Sequence, residues 1–215
     1  WTSWYAFRDK VTQKDIDDTA AVIAETLAPF GYEYVQIDDG FQQDPIGVPD
    51  HWLQANAKFP GGLDGLKASI TSRGLKPGLW TNVSFAQDDY ALAHPQYFVP
   101  GPDGKPAYGN WVGFVMDGSN PKTITDLVTP VYRSLIDSGW QYFKVDALRH
   151  LRYEGYNSFT DYFARKNLDR EAVYRSFAAS ITRTLGPNVF KLMCWGARPE
   201  LIGLFDGCRV GNDGF

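Results

Sequence analysis

The chain has 215 residues, of which 44% are hydrophobic and 15% aromatic, and its formal net charge at pH 7 is −4. A chain of this length can bury a sizeable core, most simply as one domain. It contains no lysine or arginine run that could follow a phosphate backbone and no apolar stretch of about 18 residues, so we expect neither a nucleic-acid partner nor a membrane span.

The residue types that usually hold metals and cofactors are scarce. Cys194 and Cys208 are too few for a disulfide framework, and the three histidines are widely spaced, without the spacing of a zinc site. The glycine-rich patterns of nucleotide and dinucleotide sites are absent from the sequence. We therefore expect no metal and no cofactor.

The first half of the chain alternates strand-like runs with amphipathic helices. The predicted elements are a strand at 1–7, a helix at 13–31, a strand at 32–40, a helix at 63–74 and a strand at 75–83. The first helix is indicated by apolar residues at helical spacing, and Gly31 is a suitable stop. The loop after the second strand is rich in proline and glycine and contains Trp52.

The second half begins with a long irregular stretch at 84–110, in which Asp88 and Asp89 are expected to cap a turn of helix. The elements that follow are an extended run at 111–117, a helix at 124–136, a strand from 142, a helix at 167–186, a strand at 189–195, a short helix or turn at 199–205 and a strand at 208–213. Pro130 predicts a kink or a late start in the helix at 124–136.

This alternation predicts an α/β fold with a parallel sheet, because parallel strands need crossover connections. Acidic or aromatic residues stand where strands end, and they are Asp38, Asp39, Trp80, Asp117, Asp146, Trp195 and Asp213. Sites built from many strand ends are typical of a (β/α)8 barrel, whereas a doubly wound sheet concentrates its site at one switch point. About six strand–helix units are visible and such barrels need about 250 residues. We therefore expect residues 1–215 to be one catalytic barrel domain that is incomplete at its C-terminal end.

Several charged residues have both a functional and a structural interpretation. Lys144 and Asp146 point to the same face of a strand, so Asp146 is either a nucleophile kept ionised by Lys144 or half of a structural ion pair. Asp213 follows Gly211 and is either a mobile general acid or the aspartate of a simple turn. By contrast, the basic residues at 149, 150 and 152 are expected to form a solvated or loop-bracing cluster.

Five stretches, taken in order, resemble the α-galactosidase clan of glycoside hydrolases, the melibiases and their raffinose-synthase-like relatives. The stretches are "WTSWYAF", "YVQIDDGFQ", the run from "NAKFPGG" to "KPGLW", "FKVD" and "CRVGND". The resemblance implies a barrel fold, an oligosaccharide or glycoconjugate as substrate, and a retaining mechanism with Asp146 as nucleophile and Asp213 as acid/base. It also implies sugar contacts, and these fall on Trp4, Asp38, Asp39, Trp80, Lys144 and Arg209.

The resemblance has one notable departure. Many galactosidases of the clan carry Cys-Glu-Trp on the fifth strand, where the 2-substituent of the sugar is recognised; here "MCWG" leaves Cys194 and Trp195 as the expected contacts. The alternatives are therefore a galactosyl transferase of the raffinose-synthase type, a hydrolase of another α-glycoside such as an N-acetylgalactosaminide or an isomaltose-type unit, and a non-catalytic sugar-binding protein. The sequence fixes neither oligomeric state nor compartment, although enzymes acting on exogenous glycans commonly work outside the cytoplasm.

Overall fold

A computed structural model of the chain describes residues 1–44, 48–110, 112–195, 198–211 and 213. The strands are β1 (Tyr34–Ile37), β2 (Lys76–Thr81), β3 (Phe85–Ala86), β4 (Phe114–Val115), β5 (Tyr142–Val145), β6 (Phe190–Met193) and β7 (Gly207–Cys208). Five of them form one parallel sheet in the order β1-β2-β5-β6-β7, whereas β3 and β4 form a separate antiparallel pair.

Helices connect the parallel strands. They are α1 (Trp4–Phe7), α2 (Gln13–Val22), α3 (Gly62–Thr71), α4 (Asp88–Ala93), α5 (Pro121–Thr123), α6 (Thr129–Asp137), α7 (Leu148–His150), α8 (Thr160–Arg165) and α9 (Arg170–Leu185). Three π-helical segments extend them, at Ile23–Leu27 after α2, at Ile124–Val128 between α5 and α6, and at Leu151–Tyr156 after α7. Short 3₁₀ turns lie at Arg8–Lys10, Ala28–Phe30, Pro49–Leu53, Pro95–Tyr97 and Pro199–Leu201. None of the helices in the described residues is long and apolar enough to cross a membrane.

The core lies between the sheet and its helices. Strands β1, β2 and β5 contribute side chains that are fully buried, such as Ile37, Leu79 and Phe143. Helices α3 and α9 bury Ile70 and Phe177 against them. Near-continuous burial along β1, β2 and β5 is what a parallel sheet covered on both faces requires.

The prediction of a strand at 1–7 is wrong in its second half. Thr2 pairs with Gln36 in parallel, so residues 1–3 extend alongside β1. The carbonyl of Ser3 then accepts hydrogen bonds from the amides of Ala6 and Phe7, which turns the chain into α1. Because α1 starts at Trp4, this side chain stands at the end of the first extended segment rather than inside a strand.

The helix predicted at 124–136 begins earlier, at Pro121, and Pro130 is the second residue of α6. The π-helical segment lies just before it, and the absent amide of proline is tolerated in a first turn. Asp88 and Asp89 open α4, but its N-cap residue is Gln87. The extended run at 111–117 shrinks to β4, and Trp111 lies outside the described residues. The last predicted strand, 208–213, is only Gly207–Cys208.

Candidate active site

A cleft opens at the carboxyl ends of the parallel strands, with a volume of about 380 Å³ that includes its mouth. It is lined by eight of the ten residues that the sequence marks as a site: Trp4, Asp38, Asp39, Trp80, Lys144, Asp146, Trp195 and Asp213. The remaining two, Cys194 and Arg209, contact this lining from behind. Parallel register brings these residues together, because each follows or ends its own strand at the same edge of the sheet.

The floor of the cleft is a buried ion pair. Lys144 Nζ lies 2.9 Å from Asp38 Oδ2, and the two residues are 5% and 1% exposed. The same carboxylate oxygen accepts hydrogen bonds from Thr2 Oγ1 at 3.1 Å and Gln36 Nε2 at 2.9 Å. Burial by itself lowers the pKa of Lys144, but the nearby negative groups, Asp38 foremost among them, together hold that pKa above its ordinary value. Lys144 is therefore a permanent cation.

The structure corrects the expected ion pair between Lys144 and Asp146. Both side chains do face the cleft, as the spacing predicts. In the described part of the chain, however, Lys144 is paired with Asp38, across the width of β2. Asp38 is the more deeply buried carboxylate, and a buried charge needs a counter-charge more than a half-exposed one does.

Asp146 is held by two neutral donors. Trp80 Nε1 donates to its Oδ2 at 2.9 Å, and the amide of Ala147 donates to its Oδ1 at 2.6 Å. Ala147 has φ +61°, a left-handed conformation that is uncommon for a residue with a side chain and that turns the chain sharply after β5. Both carboxylate oxygens are thus oriented before any ligand arrives.

Asp39 is the carboxylate whose ionisation the cleft changes most clearly. Burial raises the pKa of Asp39 to about 6, with further contributions from the Asp38 and Asp146 carboxylates, while a hydrogen bond from Gln42 opposes the rise. Gln42 Nε2 donates to Asp39 Oδ1 at 2.5 Å, and its Oε1 accepts from the amide of Gly40 at 3.1 Å. Gln42 is buried, and sequence reasoning missed its role, because a lone glutamine in a loop carries no signal.

On the other side of the cleft, Asp213 forms an ion pair with Arg209. Arg209 Nη1 lies 2.8 Å from Asp213 Oδ1, and its Nε donates to the thiol of Cys194 at 3.2 Å. The guanidinium also lies over the ring of Trp195, with 5.5 Å between its carbon and the ring centroid. Burial raises the pKa of Cys194 to about 12, so this thiol is neutral. One arginine therefore ties three residues of the wall together.

The comparisons with known proteins agree with this geometry. The family model described as Melibiase matches residues 6–183. The chain belongs to the melibiase family. A solved structure of an α-galactosidase from Thermus thermophilus, in complex with p-nitrophenyl α-D-galactopyranoside, is 28% identical with a TM-score of 0.77, and the match covers 99% of this chain and 41% of that one. The fold is accordingly part of the (β/α)8 barrel of these α-galactosidases.

Two curated relatives extend the comparison of this melibiase-family chain. α-Galactosidase AgaA of Geobacillus stearothermophilus is 28% identical over 162 residues, which are 68% of this chain and 22% of AgaA. An A type blood α-D-galactosamine galactosaminidase of Flavonifractor plautii is 28% identical over 195 residues, which are 82% of this chain and 17% of that protein. The chain thus spans about a fifth of the length of these two relatives.

Two groups of charged residues lie outside the melibiase-family cleft. Asp117 follows β4 in the separate antiparallel pair, so it does not line the cleft as the other acidic strand ends do. Its carboxylate accepts hydrogen bonds from Ser119 Oγ and Tyr162 OH and thereby helps to fix α8. The predicted basic cluster does brace its loop, since Arg149 pairs with Glu154 at 3.0 Å and Arg152 with Glu200 at 3.3 Å.

The chemistry available in the cleft is that of carboxylates, one lysine and aromatic rings. Among the described residues, no group of three or more His, Cys, Asp or Glu side chains could hold a metal ion. Ionised carboxylates are strong acceptors for sugar hydroxyls, and tryptophan rings provide apolar surface for a sugar ring. A cleft with two carboxyl groups on separate walls is also suited to acid–base and nucleophilic chemistry at a glycosidic bond.

Proposed function

We propose that the chain carries the catalytic centre of a retaining glycoside hydrolase that removes terminal α-linked galactose. One observation carries the proposal: Asp146 and Asp213, to which the family resemblance gives the roles of nucleophile and acid/base, line the same cleft. The relatives named α-galactosidase, and the solved structure with a galactoside bound, support galactose as the sugar.

The sugar would lie between the two walls. Its 4- and 6-hydroxyls would donate to Asp38 and Asp39, the roles that the resemblance gives to these carboxylates. Lys144 adds donors beside Asp38, to which it is already paired at 2.9 Å. Trp4 and Trp80 line the same cleft and would pack against the apolar surface of the ring. This arrangement directs the anomeric carbon towards Asp146.

The reaction would proceed in two displacements. In the first, a carboxylate oxygen of Asp146 forms a bond to the anomeric carbon while the bond to the leaving oxygen breaks, and Asp213 gives its proton to that oxygen. In the second, Asp213 takes a proton from water, the hydroxide oxygen bonds to the anomeric carbon and the bond to Asp146 breaks. Arg209, whose Nη1 lies 2.8 Å from Asp213 Oδ1, would orient this carboxyl group.

Two substitutions test the roles. Asp146→Asn should abolish turnover of every substrate, because the nucleophile is lost. Asp213→Asn should lower kcat/KM for an alkyl or sugar leaving group by about 100-fold or more, and much less for a good aryl leaving group that needs no proton. Asp161→Asn, an exposed aspartate outside the cleft, is the control and should change neither.

Covalent labelling tests the nucleophile directly. A 2-deoxy-2-fluoro-α-galactosyl or cyclophellitol-type inactivator should label Asp146 of the intact native protein, as shown by peptide mass mapping. A label on another carboxylate, or equal losses in Asp213→Asn with both kinds of leaving group, would contradict the assignment.

A second substrate is favoured by a specific observation. Cys194, with its neutral thiol, stands where many galactosidases of the clan have the segment that recognises the 2-substituent, and the Flavonifractor plautii relative is named a galactosaminidase. In this alternative the sugar carries an amino or acetamido group at C2. The ratio of kcat/KM between aryl α-galactosides and the corresponding α-galactosaminides decides between the two substrates.

A further inference from the structure

Among the residues that the structure describes, no cation pairs with the carboxylate of Asp146. Lys144, the neighbouring cation, is committed to Asp38, so the contacts that fix Asp146 are the N–H groups of Trp80 and Ala147. The Ala147 donor is part of the backbone and is fixed by the turn after β5. The indole of Trp80 is therefore the side-chain donor to Asp146.

The ring of Trp80 is in turn fixed by Trp52. Trp52 lies in the 3₁₀ turn Pro49–Leu53, on the loop after β1, and is 1% exposed. Its ring centroid is 5.6 Å from that of Trp80, with an angle of 44° between the planes. Within the described chain its indole N–H has no hydrogen-bond partner, so packing, not a polar contact, sets its position. Trp52 does not line the cleft.

We propose that Trp80 is a positioning residue for the nucleophile and that Trp52 acts through Trp80. The inference rests on the proposed function, since it assumes that Asp146 attacks the anomeric carbon. An N–H group on each carboxylate oxygen fixes the rotation of the carboxyl plane, and a nucleophile displaced by about 1 Å loses roughly 100-fold in rate. Hydrogen bonds to a carboxylate also favour its ionised form.

The experiment uses four variants of the intact native protein: Trp80→Phe, Trp52→Phe, the double variant and Trp140→Phe. Trp140 is a matched control, because it is also 1% exposed and its indole N–H also has no partner in the described chain, yet it precedes β5 at the opposite end of the sheet. The measurement is kcat and KM, determined separately, for an aryl α-galactoside. Thermal melting establishes that each variant is folded.

Trp80→Phe should lower kcat/KM by about 10- to 100-fold, the effect of losing a hydrogen bond to a charged group. The loss should fall on kcat with KM nearly unchanged, because phenylalanine keeps a ring against the sugar and only the hydrogen bond to the nucleophile is lost. Trp52→Phe should lower kcat/KM by about 3- to 10-fold, a part of the same loss, and again through kcat. Trp140→Phe should leave kcat and KM unchanged.

The double variant decides whether Trp52 acts through Trp80. If it does, Trp52→Phe has no further effect once Trp80 is phenylalanine, because residues that act as a unit are not additive. The titratable groups that face Asp146, namely Asp39, Lys144 and Cys194, are the same in every variant, so they cannot cause a difference.

Two results would overturn the inference: a loss in Trp80→Phe that falls on KM and leaves kcat unchanged, or an equal loss from Trp52→Phe in both backgrounds. If Trp52→Phe does not fold, Trp52→Tyr, which keeps more of the ring volume, replaces it in the same cycle. A native protein that hydrolyses no aryl α-glycoside would instead overturn the proposed function, so the two failures are distinguishable.

Discussion

At the scale of single residues, the cleft brings several carboxylates close together, and this arrangement contributes little to the stability of the fold. Asp38, Asp39, Asp146 and Asp213 line one cleft together with Lys144. Asp38 pairs with that lysine, and Asp213 pairs with Arg209. In the described part of the chain, the side-chain donor to Asp39 is the neutral Gln42, and burial raises the pKa of Asp39 to about 6. Such a residue is expected to serve binding at a cost to stability.

The stability effect of Asp39 has a definite sign. A carboxyl group whose pKa is raised from 3.8 to about 6 by folding holds its proton more tightly in the folded state. The free energy of unfolding that it contributes is therefore present below pH 4 and is lost as the pH rises through 6. Asp39→Asn should raise the melting temperature at pH 7, with a gain on the order of 1 kcal/mol, while turnover falls.

The check is the difference in melting temperature between Asp39→Asn and wild type at pH 4 and at pH 7. The gain should be much smaller at pH 4, where Asp39 is protonated in the folded state and only about half ionised in the unfolded state. Asp161→Asn should show no such difference, because its side chain is exposed. A gain of the same size at both pH values would contradict the assigned ionisation.

At the scale of elements, the loop between β1 and α3 serves the cleft from two sides. It carries Gln42, which holds Asp39, and Trp52, which packs on Trp80. Asn56 closes this loop, since its Nδ2 donates to the carbonyls of Gly40 at 2.8 Å and Gln42 at 3.0 Å. A single amide therefore anchors the backbone from which both contacts arise.

Asn56→Ala should loosen this loop and lower kcat/KM by about 10-fold. A loss of this size corresponds to the net contribution of one hydrogen bond. Thr12→Ala provides a control of similar stability cost, about 1 kcal/mol, because it removes the capping box with Asp15 at the start of α2, outside the cleft. Kinetics and urea unfolding of both variants separate the two effects. Unchanged kcat/KM in a destabilised Asn56→Ala would show that the loop only supports folding.

At the scale of the whole molecule, the location of the candidate site could be predicted because many of its residues lie at the ends of strands. The parallel sheet and the strand-end residues Asp38, Asp146 and Trp195 could be predicted from local pattern, since strand ends meet at one edge of a barrel. Arg209 is predicted only from the family resemblance. Partners set by the three-dimensional arrangement could not be predicted. Lys144 pairs with a carboxylate 106 positions away in sequence, and Trp52 reaches Trp80 from another loop.

The errors have the same cause. "WTSWYAF" has strand-like composition, yet tertiary pairing with β1 ends at Ser3 and α1 follows, so context overrides local preference. Asp117 follows an extended run like the other acidic strand ends, but that run pairs in the small antiparallel sheet. Nothing in the local pattern distinguishes a strand of the barrel from a strand of an insertion.

The ion pair between Asp38 and Lys144 links the end of β1 to β5 across β2, so it connects non-adjacent strands of the sheet. Removing one partner leaves a buried charge uncompensated, and Lys144→Met should lower the free energy of unfolding by about 3–5 kcal/mol. The double variant Asp38→Asn/Lys144→Met should recover much of this loss, because neither charge then remains. Urea unfolding at pH 7 measures each value.

Lys76 is the matched control for this experiment. It pairs with Glu33 at 2.7 Å, also beside β1 and β2, but both side chains are largely exposed. Exposed pairs contribute little, since water already solvates both charges, so Lys76→Met should scarcely change the unfolding midpoint. If Lys144→Met were as mild as Lys76→Met, Asp38 would be satisfied by Thr2 and Gln36 alone. Lys144 would then serve sugar binding and not the stability of the fold.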